Sequence, residues 1–150
     1  MSGRFLGVDP GERRVGLALS DLTGTIASPH SVIDRAGIGE ALATLCTEHD
    51  VATIVVGLPI GLSGTEGPAA VAARDLAAEV AEVTGLPVVF SDERFTTVIS
   101  ERALVAGGMK RRQRKETRDK VAAAVMLQSY LDGRGRGDAA ATGDGTPAAD

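Results

Sequence analysis

At 150 residues and 15.3 kDa the chain has the length of one domain with a single well-filled core. One cysteine and two histidines exclude a zinc finger or a disulfide framework, and the longest apolar run, Val121 to Leu127, is far short of the ~20 residues of a spanning helix. The net charge of −4 conceals an asymmetry: Lys110 to Lys120 carries +5 and the remainder −9.

The first residues, Met-Ser-Gly-Arg, enter a strand pattern with no apolar leader, so a cytoplasmic location with no membrane attachment is expected. Three strand signals follow, Arg4 to Asp9, Arg14 to Asp21 and Thr25 to Ile33, and their short connections at Pro10-Gly11 and Leu22-Thr23-Gly24 make them antiparallel neighbours. Asp9 stands at the end of the first. Phe5, Leu6 and Val8 call for burial, and an ionised carboxylate beside them is costly unless a cation, a proton or hydrogen bonds compensate it. Pro10-Gly11 turns the chain there, so Asp9 sits at a strand tip as a candidate metal ligand; D-P-G also suits a turn-capping aspartate.

A helix is predicted from about Gly37 to His49, with Cys46 on its apolar stripe of Ile38, Leu42 and Leu45 and His49 near its C-terminus; His30, after Pro29, is expected in solvent. The β-branched run Ala52 to Leu58 reads as a central buried strand. A glycine-spaced loop, G-L-P-I-G-L-S-G-T-E-G-P, leads to an alanine-rich helix from about Ala69 to Thr84, with Pro68 at its start and Gly85 at its end. It is no Walker loop, because no Lys-Ser/Thr follows the glycines. Pro87 to Ser91 makes a fifth strand that delivers Asp92-Glu93-Arg94 at its tip, and Thr96 or Thr97 caps a helix to about Ala106.

The last helix is predicted from about Gln113 to Leu131, charged in its first half and apolar in its second. Asp119 lies at the changeover, on the face of Ala122, Ala123, Met126 and Tyr130, and points inward. From 133 to 150 the chain is low-complexity and is expected to be a disordered tail to a domain of residues 1–132.

The order β-β-β-α-β-α-β-α-α specifies an α/β fold: a five-stranded mixed sheet, three strands antiparallel and two more parallel to the first, flanked by helices. Open sheets of this kind bind ligands at the C-terminal tips of their parallel strands, where Asp9 and the Asp92-Glu93 pair converge and Asp119 reaches in from the last helix. Carboxylates so gathered repel one another unless cations intervene, and hard oxygen donors favour Mg²⁺ or Mn²⁺, two ions in an arrangement that activates water for attack on phosphorus. The cationic run Lys110, Arg111, Arg112, Arg114, Lys115 and Arg118 offers a phosphate-binding patch beside them, although a charge run also serves as an ordinary solvated face.

The segments G-V-D-P-G-E-R-R-V-G-L-A-L-S-D, V-V-G-L-P-I-G-L-S-G-T-E-G-P and S-D-E-R-F-T-T-V, followed by D-K-V-A-A-A, resemble the YqgF/RuvX family over residues 4 to 131. The resemblance implies an RNase H-like fold and a nuclease. The family is associated with maturation of the 5′ end of pre-16S ribosomal RNA and with Holliday-junction resolution, so the implied partner is a structured RNA precursor or a four-way DNA junction. It further implies a metal-binding, catalytic triad of Asp9, Glu93 and Asp119; the choice of Glu93 over Asp92 rests on the family pattern, since strand alternation says only that the two face opposite ways. Arg94 is a weaker candidate for a phosphate contact. A junction-cutting enzyme would act as a homodimer, and Cys46, which its apolar stripe marks first as a buried small hydrophobe, is then a candidate inter-subunit thiol. Two rival readings are an actin-like phosphotransferase fragment, whose relatives need a second domain, and a nucleic-acid-binding module with no catalysis.

Overall fold

Seven-residue apolar alternation carries the first strand, β1 (Arg4–Pro10), into the hairpin partner β2 (Arg14–Ser20), and β3 (Ala27–Asp34) completes the antiparallel half of the sheet. The computed structural model describes residues 3–11, 13–59, 67–92 and 111–140, with the backbone alone at 92, 111–116 and 135–140. After β3 come α1 (Ile38–Glu48), β4 (Val51–Leu58), α2 (Pro68–Thr84), β5 (Val88–Asp92) and a last helix, here α3 (Arg111–Ala140). The sheet order is β3-β2-β1-β4-β5, with β4 parallel to β1 and β5 parallel to β4. This is the expected mixed sheet. The helix predicted to follow Thr96 or Thr97 lies outside the described residues, as does most of the glycine-spaced loop.

The strands sort their side chains by parity. Leu6 and Val8 of β1, Val15 and Leu17 of β2 and Ile54 and Val56 of β4 form one core with Leu42 of α1 and Leu76 of α2. The intervening positions, Phe5, Ala18, Val55 and Val89, pack on the other face against Ala123, Met126 and Leu127 of α3. The result is a sheet between two helical layers. At the centre of the α3 face the strands are stripped of side chains: a Cβ at Gly7 would lie 2.9 Å from that of Leu127 and 3.3 Å from the Ala123 carbonyl oxygen. The V-A-A-A segment of α3 supplies small residues from its side, so the helix backbone comes down almost onto β1 and β2.

One expectation needs correction. The helix does not stop near Leu131 but continues to Ala140, so the boundary drawn at 132/133 from composition falls inside α3. A local bond and a tertiary contact hold its first extra turn: Gln128 donates to Asp132 Oδ1 one turn on (3.0 Å), and the Arg134 guanidinium lies 4.8 Å from the centre of the Phe5 ring. Gln128 also ties α3 to the start of β3, accepting from the Ala27 amide (2.8 Å) and donating to the Thr25 carbonyl (2.9 Å). Cys46 occupies the buried position that its apolar stripe favours: it is 6% exposed within the α1–α2 core, and burial pushes its thiol up to about 11.

Candidate active site

Parity decides what β1 presents at its tip. Phe5 and Gly7 face α3, so Asp9, two residues on, faces α3 as well, while its neighbours Leu6 and Val8 are buried under α1 and α2. In the ladder Asp9 stands opposite Gly16 of β2. Gly16 in turn touches the α3 backbone: a Cβ there would collide with the carbonyl oxygen of Asp119 and lie 2.8 Å from its carbonyl carbon. One glycine is thus the cross-strand partner of the first carboxylate and the seat of the second. The two carboxylates line a single open cleft of about 460 Å³.

The hairpin supplies the rest of that cleft. Pro10 and Gly11 form its floor at the turn, and Arg13 and Arg14 line it on the β2 side. A Cβ at Gly11 would strike the Arg14 carbonyl oxygen, so the turn closes tightly enough to bring both arginines back beside Asp9. The Arg35 amide donates to the Arg13 carbonyl (2.8 Å) and pins this corner to the segment before α1. Sequence reasoning passed over both arginines. The available signal is their place within five residues of Asp9, just past the D-P-G turn.

The third expected ligand, Glu93, lies outside the described residues, together with Arg94 and Lys110. Its approach can still be followed. Asp92 ends β5 opposite Leu58, and β5 is two strands from β1, about 10 Å at the usual strand spacing. Val89 of β5 packs on the α3 side, whereas Val88 and Phe90 join the α1–α2 core. Of the basic run, Arg111, Arg112, Arg114 and Lys115 lie in the first turns of α3, and Arg118, half-buried, immediately precedes Asp119. Neither histidine lines the cleft; their rings meet edge-on at 5.2 Å, where burial, then His49 and Lys120, lower the pKa of His30.

The donor set is all oxygen, hard and anionic, at an open cleft, which suits a divalent cation such as Mg²⁺ or Mn²⁺ with coordination positions left for water and substrate. Among the described residues no group of three such ligands occurs, so Asp9 and Asp119 would need a third donor. Also among the described residues, no helix is long and apolar enough to cross a membrane.

Residues 3–133 match the sequence profile of RuvX, described as Holliday junction resolvase. A protein of Syntrophomonas wolfei named "Putative pre-16S rRNA nuclease" is 42% identical over 133 residues, 87% of this chain and 94% of its own. A protein of the same name from Geobacillus thermodenitrificans is 43% identical over 136 residues, covering 87% of this chain and 99% of its own. Among solved structures, Thermus thermophilus RuvC in complex with a Holliday junction superposes with a TM-score of 0.54 at 16% identity, over 88% of this chain and 95% of that one. The fowlpox virus resolvase with Holliday junction DNA gives 0.51 at 12%, over 87% and 98%. At such low identity these two likenesses speak to the fold alone, and that fold is RNase H-like.

Proposed function

The chain belongs to the RuvX family and is a nuclease acting on phosphodiester bonds, and from that premise we propose a divalent-metal-dependent endonuclease that processes the 5′ end of pre-16S rRNA. The observation that carries the metal dependence is the meeting of Asp9, Gly16 and Asp119: two carboxylates from distant parts of the chain share one cleft, beside the cationic start of α3. Glu93 is the third ligand in this reading. What supports the choice of Glu93 over Asp92 is the family pattern, together with Val89 packing on the α3 side of β5, so that strand alternation would turn Asp92 away from that side.

Asp9, Glu93 and Asp119 would hold the metal, which when bound supplies Lewis acidity toward a phosphoryl oxygen and lowers the pKa of a water ligand. The carboxylates orient that site, and the cationic run from Lys110 to Lys120 holds the nucleic-acid backbone through its phosphates, with little demand on base sequence. The name shared by the 42–43% identical relatives favours the RNA precursor as substrate. A second reading, resolution of four-way DNA junctions, is favoured by the description of the family itself.

The test is the purified protein with Mn²⁺ or Mg²⁺, offered a four-way junction, linear duplex, single-stranded RNA and precursor ribosomal RNA side by side. Metal-dependent shortening of the precursor at its 5′ end is the expected result. Paired symmetric cuts in the junction, with the precursor untouched, would transfer the assignment to the second reading, and equal cleavage with chelator present would overturn the metal site.

A further inference from the structure

Asp9 and Asp119 put negative charge into one cleft, and a phosphodiester entering it is held best where fixed cations stand within reach of the same phosphate. On α3 the described cations beside Asp119 are Arg118 and Lys120. On the opposite side stand Arg13 and Arg14, which belong to the cleft lining as fully as Asp9 and Asp119 do. Resting on the nuclease reading above, we propose that Arg13 and Arg14 are the phosphate-binding wall of this cleft, Arg14 contacting the phosphate to be cleaved and Arg13 a flanking one.

The division follows from position. In β2, Gly16 and Ala18 face α3, so Arg14 shares their face, half-buried between the hairpin and the helix and in the same wall as the glycine that separates Asp9 from Asp119. Arg13 precedes the strand, is exposed, and stands at the rim. Its backbone is held there by the bond from the Arg35 amide, which gives the rim a fixed geometry. A guanidinium presents paired N–H donors that match two phosphate oxygens, stays charged at any working pH, and is weakly hydrated, so it suits a contact made inside a cleft better than an ammonium does. Phosphoryl transfer is accelerated chiefly by positioning and by charge placed where the transition state gains it, and Arg14 is the described cation that shares the α3-facing side of β2 with the carboxylate site.

The test compares the wild type with Arg14→Ala, Arg14→Lys and Arg13→Ala in two measurements: cleavage kinetics with Mn²⁺, and affinity for a labelled junction and a labelled structured RNA in chelator over a series of salt concentrations. Arg14→Ala is expected to keep its melting temperature, lose about 100-fold in kcat, the scale of a single transition-state donor, and regain part of it with added methylguanidine. Arg14→Lys should recover only part of the loss, because the charge remains and the fork does not. Arg13→Ala should leave kcat within about twofold, raise KM, and reduce the slope of log affinity against log salt by about one. Wild-type kinetics in both alanine variants, with the wild type itself cleaving, would overturn the arginine wall and leave the nuclease reading standing. Activity lost in step with melting temperature and unmoved by methylguanidine would make Arg14 structural and overturn it too. A wild type that neither binds nor cleaves any of these nucleic acids would remove the nuclease reading and this proposal with it.

Discussion

Gly16→Ala is the most economical test of how the two halves of the site are held together. The added methyl would lie 2.8 Å from the Asp119 carbonyl carbon and would overlap its oxygen, and both are backbone atoms that no rotamer change can move. Ordinary contact requires α3 to withdraw by about 1 Å near Asp119. Overpacking of this kind costs about 1–3 kcal/mol, which for a chain of this length lowers the melting temperature by roughly 2–4 °C per kcal/mol. The larger effect falls on activity, because a reacting group misplaced by about 1 Å loses on the order of 100-fold. Gly7→Ala is the control: it also intrudes on α3, but its Cβ meets the Leu127 Cβ at 2.9 Å, two helical turns from Asp119. Melting curves and single-turnover cleavage at saturating Mn²⁺, measured for both variants, separate packing from positioning. The expected result is a similar thermal loss in both, with the 100-fold activity loss confined to Gly16→Ala. A Gly16→Ala protein with wild-type activity, or equal activity losses in the two variants, would refute the reasoning.

Asp9→Asn and Asp119→Asn should fold normally and cleave nothing detectable, because each amide keeps the shape of the carboxylate and loses the charge that holds a metal; Glu93→Gln should match them, with Asp92→Asn much milder, and an inactive Asp92→Asn beside an active Glu93→Gln would refute the parity argument. Asp21 accepts from the Thr23 hydroxyl (2.6 Å) and from the Thr25 and Ile26 amides, and these bonds, Thr23 first, hold its carboxyl at about 2. A carboxyl pKa depressed in the folded state adds stability above the unfolded value near 4 and loses it as pH falls toward 2, so the urea-midpoint difference between wild type and Asp21→Ala should be full at pH 6 and vanish near pH 2. Cys46, buried and pushed up to about 11, should react with a thiol reagent at pH 8 far more slowly than a free cysteine until urea unfolds the chain, and rapid labelling of the native protein would contradict its burial.

Much of the architecture was legible because it rests on local signals. Short turns at Pro10-Gly11 and Leu22-Gly24 force antiparallel neighbours, helical crossovers force parallel ones, and the observed order β3-β2-β1-β4-β5 satisfies those constraints. Asp9 and Asp119 were legible for a related reason: a carboxylate closing an apolar strand and one at the polar end of an apolar helix each break the apolar pattern beside them. Alternation along β5 separated Asp92 from Glu93 but could not say which faces the site, because period two is blind to which side of the sheet a helix covers; that choice takes the packing of the strand itself, where Val89 lies on the α3 side. Arg13 and Arg14 entered the cleft only once the hairpin folded back, and Gly16 acquired its meaning only when the α3 backbone settled on it from more than a hundred residues away. The burial of Cys46 was legible in its helix stripe, whereas the first extra turn of α3 belongs with the tertiary decisions, since the Arg134–Phe5 contact joins segments that local composition cannot relate. Sequence patterns record what each segment prefers by itself, whereas close approach between backbones and the choice of face are properties of two segments at once, and only the assembled sheet and helices determine them.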